Sequence, residues 1–184
     1  GDGARAVPLL EEARRLSPDA QDVTIAHAHA LAASGRGDEA RALLAQAAAL
    51  HRGKRGKPLG AIHLALSRIE QQDGRLGEAL QAMLRAFDND PQNAELAMEL
   101  GAFALELDDA ETAARAFRAV TLLKTVPSGA VDGASAKLKA LAYHHLATLA
   151  NVQGDRRKAR FMVEKSLAED PQLEGARALL DSLR

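Results

Sequence analysis

Six histidines and one oddly placed acid are the residues of this 184-residue chain with the chemistry to hold a metal or move a proton. His27 and His29 are two apart, which on a helix turns them to nearly opposite sides and prevents them from gripping one ion. His144 and His145 are adjacent, about 100° apart around a helix axis, and fail for the same reason. One cross-helix set remains: His27, His63 and Glu70 fall on core-facing positions of successive helices, and three such ligands would leave zinc an open fourth position. The stronger expectation is a buried, hydrogen-bonded polar cluster without metal or cofactor. No other pattern suggests catalysis. The Gly-x-Ser-x-Gly elbow, the His-Glu-x-x-His helix and the glycine-rich dinucleotide turn are absent, and Gly56-Lys57 lacks the upstream glycine and following hydroxyl of a phosphate loop. The chain is therefore expected not to be an enzyme.

The elements carrying these residues follow from alanine. Ala6, Ala40, Ala79, Ala113 and Ala159 recur at intervals of 34, 39, 34 and 46 residues, a 34-residue unit with insertions of 5 and 12. In the segment Asp19 to Leu50, Ile25, Ala28 and Leu31 share one helical face, Ser34-Gly35-Arg36-Gly37 interrupts, and Ala40, Leu43, Leu44 and Ala47 share another. Two short amphipathic helices across a glycine turn make a hairpin too one-sided to stand alone in water, so hairpins must stack. Alanine at Ala28, Ala40 and Ala47 lets helix axes approach closely.

Repeated in register, these strings resemble the tetratricopeptide repeat family: "QDVTIAHAHALAASGRGDEARALLAQAAALHR", "GAIHLALSRIEQQDGRLGEALQAMLRAFDNDP", "AELAMELGAFALELDDAETAARAFRAVTLLKT" and "ALAYHHLATLANVQGDRRKARFMVEKSLAEDP". The resemblance implies an all-α fold, a right-handed α-solenoid of stacked antiparallel helix pairs, helix A then helix B, over a single domain 1–184. It implies a lone helix B at 1–18, repeats at 21–54, 60–93, 94–127 and 140–173, a capping helix at 174–184, and insertions at 55–59 and 128–139. The chain then opens in mid-repeat, which predicts a piece of a longer protein, and its Ala-rich, Arg-over-Lys usage predicts a bacterial source. Departures are concentrated in the aromatic slots of helix A, which hold Thr24, His63, Ala97 and Tyr143, and in a second large slot holding Leu31, Glu70, Ala104 and Ala150. With aromatics at 3%, the packing is expected to be thin.

The family's role implies a protein-binding scaffold whose concave groove, lined by the A helices, takes a protein or peptide. The matching slots are Asp22, Ile25 and His29; Leu64, Arg68 and Gln72; Glu95, Met98, Ala102 and Leu105; and His144, Thr148 and Asn151. The Lys and Asn slots of relatives that clamp a C-terminal carboxylate hold Ile25, His29, Leu64 and Arg68, so that clamp is not expected. A second expectation is a structural module forming a homodimer through its N-terminal edge, where Val7, Leu9, Leu10 and Leu16 would be left exposed.

Composition bounds the partners. A net charge of −1 sets up no global field toward nucleic acid or membrane, and no apolar run approaches the ~20 residues of a bilayer span. Zero cysteines excludes disulfides and thiolate metal sites. Locally, Glu95, Glu99, Glu106, Asp108, Asp109 and Glu111 form an acidic run, and Arg156, Arg157, Lys158, Arg160 and Lys165 a basic one. The loop "HRGKRGKP" gathers Arg52, Lys54, Arg55 and Lys57 among glycines, but without neighbouring aromatics it offers bases no stacking platform. After the second insertion Ser135 is placed to cap a long helix reaching about Gln153, with Lys137 and Lys139 on a projecting turn.

Overall fold

A computed structural model describes residues 2–51, 53–127 and 133–184. Arg52 of the basic loop and residues 128–132 of the second insertion lie outside them. The described residues form α1 (Asp2–Leu16), α2 (Gln21–Ala33), α3 (Gly37–Leu50), α4 (Lys57–Gln72), α5 (Leu76–Asn89), α6 (Ala94–Glu106), α7 (Ala110–Leu122), α8 (Ala136–Val152), α9 (Arg156–Glu169) and α10 (Glu174–Ser182). No helix among them is long and apolar enough to cross a membrane. The chain divides into two compact units, Gly1–Asp90 and Pro91–Arg184.

One closing device recurs at four turns. The backbone N–H of Arg36, Arg75, Asp109 and Asp155 each donates, at 2.8–2.9 Å, to the carbonyl five residues upstream, on Leu31, Glu70, Ala104 and Ala150. These bonds satisfy carbonyls orphaned at a helix C-terminus. The residue in between takes a positive φ, as Gly35, Gly74 and Gly154 do, and Asp108 does at φ 58° without glycine's freedom. Beyond each turn Ala40, Ala79, Ala113 and Ala159 are fully buried against the preceding helix. A larger side chain there would push the two helices apart.

In the first unit α1 packs on α2, α2 on α3, α3 on α4 and α4 on α5, with α2 also touching α4. Its core contains Val7, Ala28, Leu31, Leu44, Ile62 and Ile69. Val7 is therefore buried rather than left exposed, and Leu10 packs against the same core, because α2 covers that face of α1. Leu9 and Leu16 point away and are exposed. The helix after the basic loop starts at Lys57, three residues before the expected position, since Pro58 fits a first helical turn where no N–H is needed. Ser67, fully buried, donates to the Ala79 carbonyl at 2.8 Å and ties α4 to α5.

The second unit repeats the arrangement with better-capped helices. Asn93, Asp109, Ser135 and Asp155 each accept a backbone N–H with their side chains at the starts of α6, α7, α8 and α9, worth about 0.5–2 kcal/mol apiece. Ser166 donates to the Ala140 carbonyl at 2.7 Å, tying α9 to α8 as Ser67 ties α4 to α5. After the insertion the chain returns beside its own earlier strand-like segment. Ala134 N–H donates to the Lys124 carbonyl, and Val126 N–H to the Ala134 carbonyl. Gly133, at φ 108°, has room for no side chain there, since a Cβ would stand 2.7 Å from the Lys124 oxygen. Lys139 does not project. It is buried and bonds the Thr125 hydroxyl at 3.0 Å.

Candidate functional site

The positions expected to bind a partner sit on α2, α4, α6 and α8. On α2 Asp22 is exposed while Ile25 and His29 are half-buried; on α4 Leu64 is half-buried while Arg68 and Gln72 are exposed. The two helices touch, and Gln21 fastens them by donating to the Pro58 carbonyl at 2.7 Å. Arg68 is close enough that its charge, after burial, helps hold the His29 imidazole below its ordinary pKa. The first unit thus gathers a neutral imidazole, a guanidinium and two half-buried aliphatic side chains on one surface.

In the second unit α6 carries exposed Glu95 and Ala102 with half-buried Met98 and Leu105, and α8, which touches α6, carries half-buried His144 and Asn151 with exposed Thr148. Thr148 bonds back to the His144 carbonyl, at 3.1 Å. His144 is partly covered by α10, where a Cβ on Gly175 would stand 3.1 Å from its Nε2. The neighbouring His145 turns inward instead and stacks on Phe117, with ring centroids 4.6 Å apart and planes at 10°.

The cross-helix metal set does not assemble, and no metal-holding group of three or more His, Asp or Glu occurs among the described residues. His27 is surrounded by Arg14, Glu11, Arg36 and Glu39, and His63 by Arg85, while Glu70 is turned to Arg41 and Arg75. The expected hydrogen-bonded cluster is absent too, as Nδ1 of His27 and His63 and Oε2 of Glu70 are buried without a hydrogen bond among the described residues. Burial holds His27, His29, His63, His144 and His145 below the ordinary imidazole pKa. A depressed folded-state pKa contributes stability above the unfolded value, about 6.5, that is lost as pH falls below it. Thermal melts followed by circular dichroism should therefore show Tm falling between pH 7.5 and pH 5.5. An unchanged or rising Tm would mean that these rings are not desolvated.

Glu70 has a structural explanation that spacing could not supply. It is buried, its Oε2 lying 3.5 Å from Arg41 and 3.8 Å from Arg75, and Arg41 also binds Asp38 at 2.7 Å and Asp73. Hydrogen bonds to Asp38 and then Asp73 raise the Arg41 pKa, so its charge is permanent. Arg36-Gly37-Asp38 belongs to the same turn: Arg36 pairs with Glu39, Asp38 with Arg41, and a Cβ on Gly37 would meet Asp73 at 2.8 Å. The thin packing shows elsewhere. A cleft of about 860 Å³ opens between α1 and α3, lined by Pro8, Leu43, Ala47 and Leu50, with Thr24 at an aromatic slot on its floor. Thr24 was its only sequence signal.

Residues 1–61 match the tetratricopeptide repeat family model. Over that third of its length the chain is similar to tetratricopeptide repeat proteins. Across its length the repeat fold is shared with solved structures of low identity. MamA matches at 14% identity and a TM-score of 0.56, over 94% of this chain and 91% of that one. A tetratricopeptide repeat protein from Parabacteroides merdae matches at 16% and 0.56, over 100% and 66%. Kinesin-light-chain-like repeats from Podosopora anserina match at 20% and 0.58, over 94% and 89%. No curated protein matches the sequence. At these identities the structures establish the fold of this chain and leave its partner to its own surface.

Proposed function

We propose that this chain is a non-catalytic tetratricopeptide-repeat scaffold holding a protein or peptide on the uncovered faces of α2 and α4 in its first unit, or of α6 and α8 in its second. The observation that carries the reading is that paired A-type helices in each unit leave mixed faces uncovered, half-buried aliphatic residues beside exposed charges. Ile25, His29, Leu64 and Arg68 lie on one pair, and Glu95, Met98, Leu105 and Thr148 on the other. Such surfaces suit an extended or helical peptide that combines apolar anchors with charges. Arg68 favours an acidic group on the partner, and Glu95 a basic one.

A peptide library selected on the purified chain, with hits measured by calorimetry, tests this. Arg68→Glu, an exposed change, should weaken peptides held by the first unit at least tenfold, and Met98→Glu, a half-buried one, those held by the second, with melting behaviour preserved. Peptides that bind both variants as well as the parent would place the site elsewhere. A second reading, self-association through α1, is favoured by Leu9 and Leu16, which are 74% and 69% exposed. Replacing both by lysine would abolish an association of that kind.

A further inference from the structure

The outer face of α9 is basic in a way its own fold does not neutralise. Arg156, Arg157, Lys158 and Arg160 crowd the first turns, where the helix dipole is already positive, and the first turn holds no acid. Arg156 donates to the Ser182 carbonyl, and Arg160 pairs with Glu164 at 3.1 Å. Arg157, Lys158 and Lys165 pair with no carboxylate among the described residues. In their midst Phe161 stays 54% exposed, with the Lys165 ammonium 5.5 Å from its ring centre. An aromatic ring left in water among unpaired cations is the composition of an interface anchor with a charged rim.

The complementary surface is present in the same unit. Glu95, Glu99 and Glu106, spaced four and seven apart, share one exposed stripe of α6, and exposed Asp108 and Glu111 continue it through the turn into α7. None of these five pairs with a base among the described residues. The two patches cannot neutralise each other within one copy by helix packing, because α9 touches α8 and α10 but neither α6 nor α7.

We infer that the basic, Phe161-bearing face of α9 docks on the acidic α6–α7 stripe of a second copy of this chain. The contact joins two different patches, so it leaves one of each kind free and builds open head-to-tail chains rather than closed dimers. Its basic half lies on α9, which carries none of the partner positions proposed above, while its acidic half shares Glu95 with them. The α9 variants therefore test this inference apart from that reading.

Sedimentation of the full chain across a concentration series, at about 20 mM and about 500 mM salt, reads this directly. At low salt the average mass should climb with concentration through successive multiples of the monomer, and at high salt it should return to the monomer. Arg157→Glu/Lys158→Glu should remain monomeric at low salt, and so should Glu99→Lys/Glu106→Lys. These residues are exposed, and unchanged melts of each variant confirm that folding is intact. Mixing the acidic-α9 chain with the basic-α6 chain should give at least a heterodimer, because the intact α9 face of the second meets the intact α6–α7 stripe of the first. Mixing either variant with the parent should shorten the parent's chains by capping them. A parent monomeric at every concentration overturns the inference, as does association that persists in either variant. So does association insensitive to salt but lost on replacing Leu9 and Leu16 by lysine, which would assign it to α1.

Discussion

Replacing Arg41 by alanine is expected to lower the unfolding free energy by about 3 kcal/mol, the lower end of what breaking a buried ion pair costs. The loss does not measure the strength of the pair. It arises because Glu70, whose side chain is only 8% exposed, is left in a poorly solvated place after its nearest cation at 3.5 Å has gone, and Arg75 stands farther off at 3.8 Å. Asp38 and Asp73 lose the same partner, but they face water and contribute little. Urea unfolding followed by circular dichroism checks the value. The decisive comparison is Arg41→Leu with Glu70→Leu. Removing both charges should cost far less than removing Arg41 alone, and an equal loss in single and double variants would show that Glu70 was not the stranded group.

Gly101→Ala is expected to cost about 1–3 kcal/mol, the usual penalty of overpacking a filled core. The added Cβ would stand 2.5 Å from Cε1 and 2.6 Å from Cζ of Phe117. Phe117 is fully buried and stacked on His145, so its ring can retreat only by displacing a second ring. For a chain of this size each kcal/mol corresponds to about 2–4 °C in Tm. Phe117→Leu made together with Gly101→Ala should recover part of the loss by removing the clashing ring atoms. A double variant that melts below both single variants would locate the strain elsewhere.

The helical hairpins were legible because burial repeats where a small residue repeats. Ala40, Ala79, Ala113 and Ala159 could be picked out by interval alone, and all four are fully buried. Ser135 was readable as a cap for a similarly local reason, and its side chain accepts the Leu138 N–H at 3.3 Å. What stayed hidden depends on which side chains meet across helices. Glu70 stood out as an acid in a core slot, but helical period cannot say that Arg41, 29 positions earlier, reaches it. Lys139 looked like a projecting base because nothing in its neighbourhood announced Thr125. The histidines were expected to find hydrogen bonds, but helix faces rich in alanine and leucine offer few donors or acceptors to a buried ring. The proposed partner positions were assigned by slot. The structure adds which of them share a surface within each unit.

The pattern of helix contacts also governs how the chain acquires its structure. Within each unit every helix touches only its first or second neighbour along the chain, so each contact closes a short loop and costs little chain entropy. Folding of this kind can start at any hairpin and spread, without a slow search for distant segments. Helix α10 is nine residues long with Ala176 its one buried residue, and among the described residues it rests on α8 and α9 only. Its amides should exchange with solvent well before those of α8, and each opening would uncover His144 while the rest of the unit stays folded.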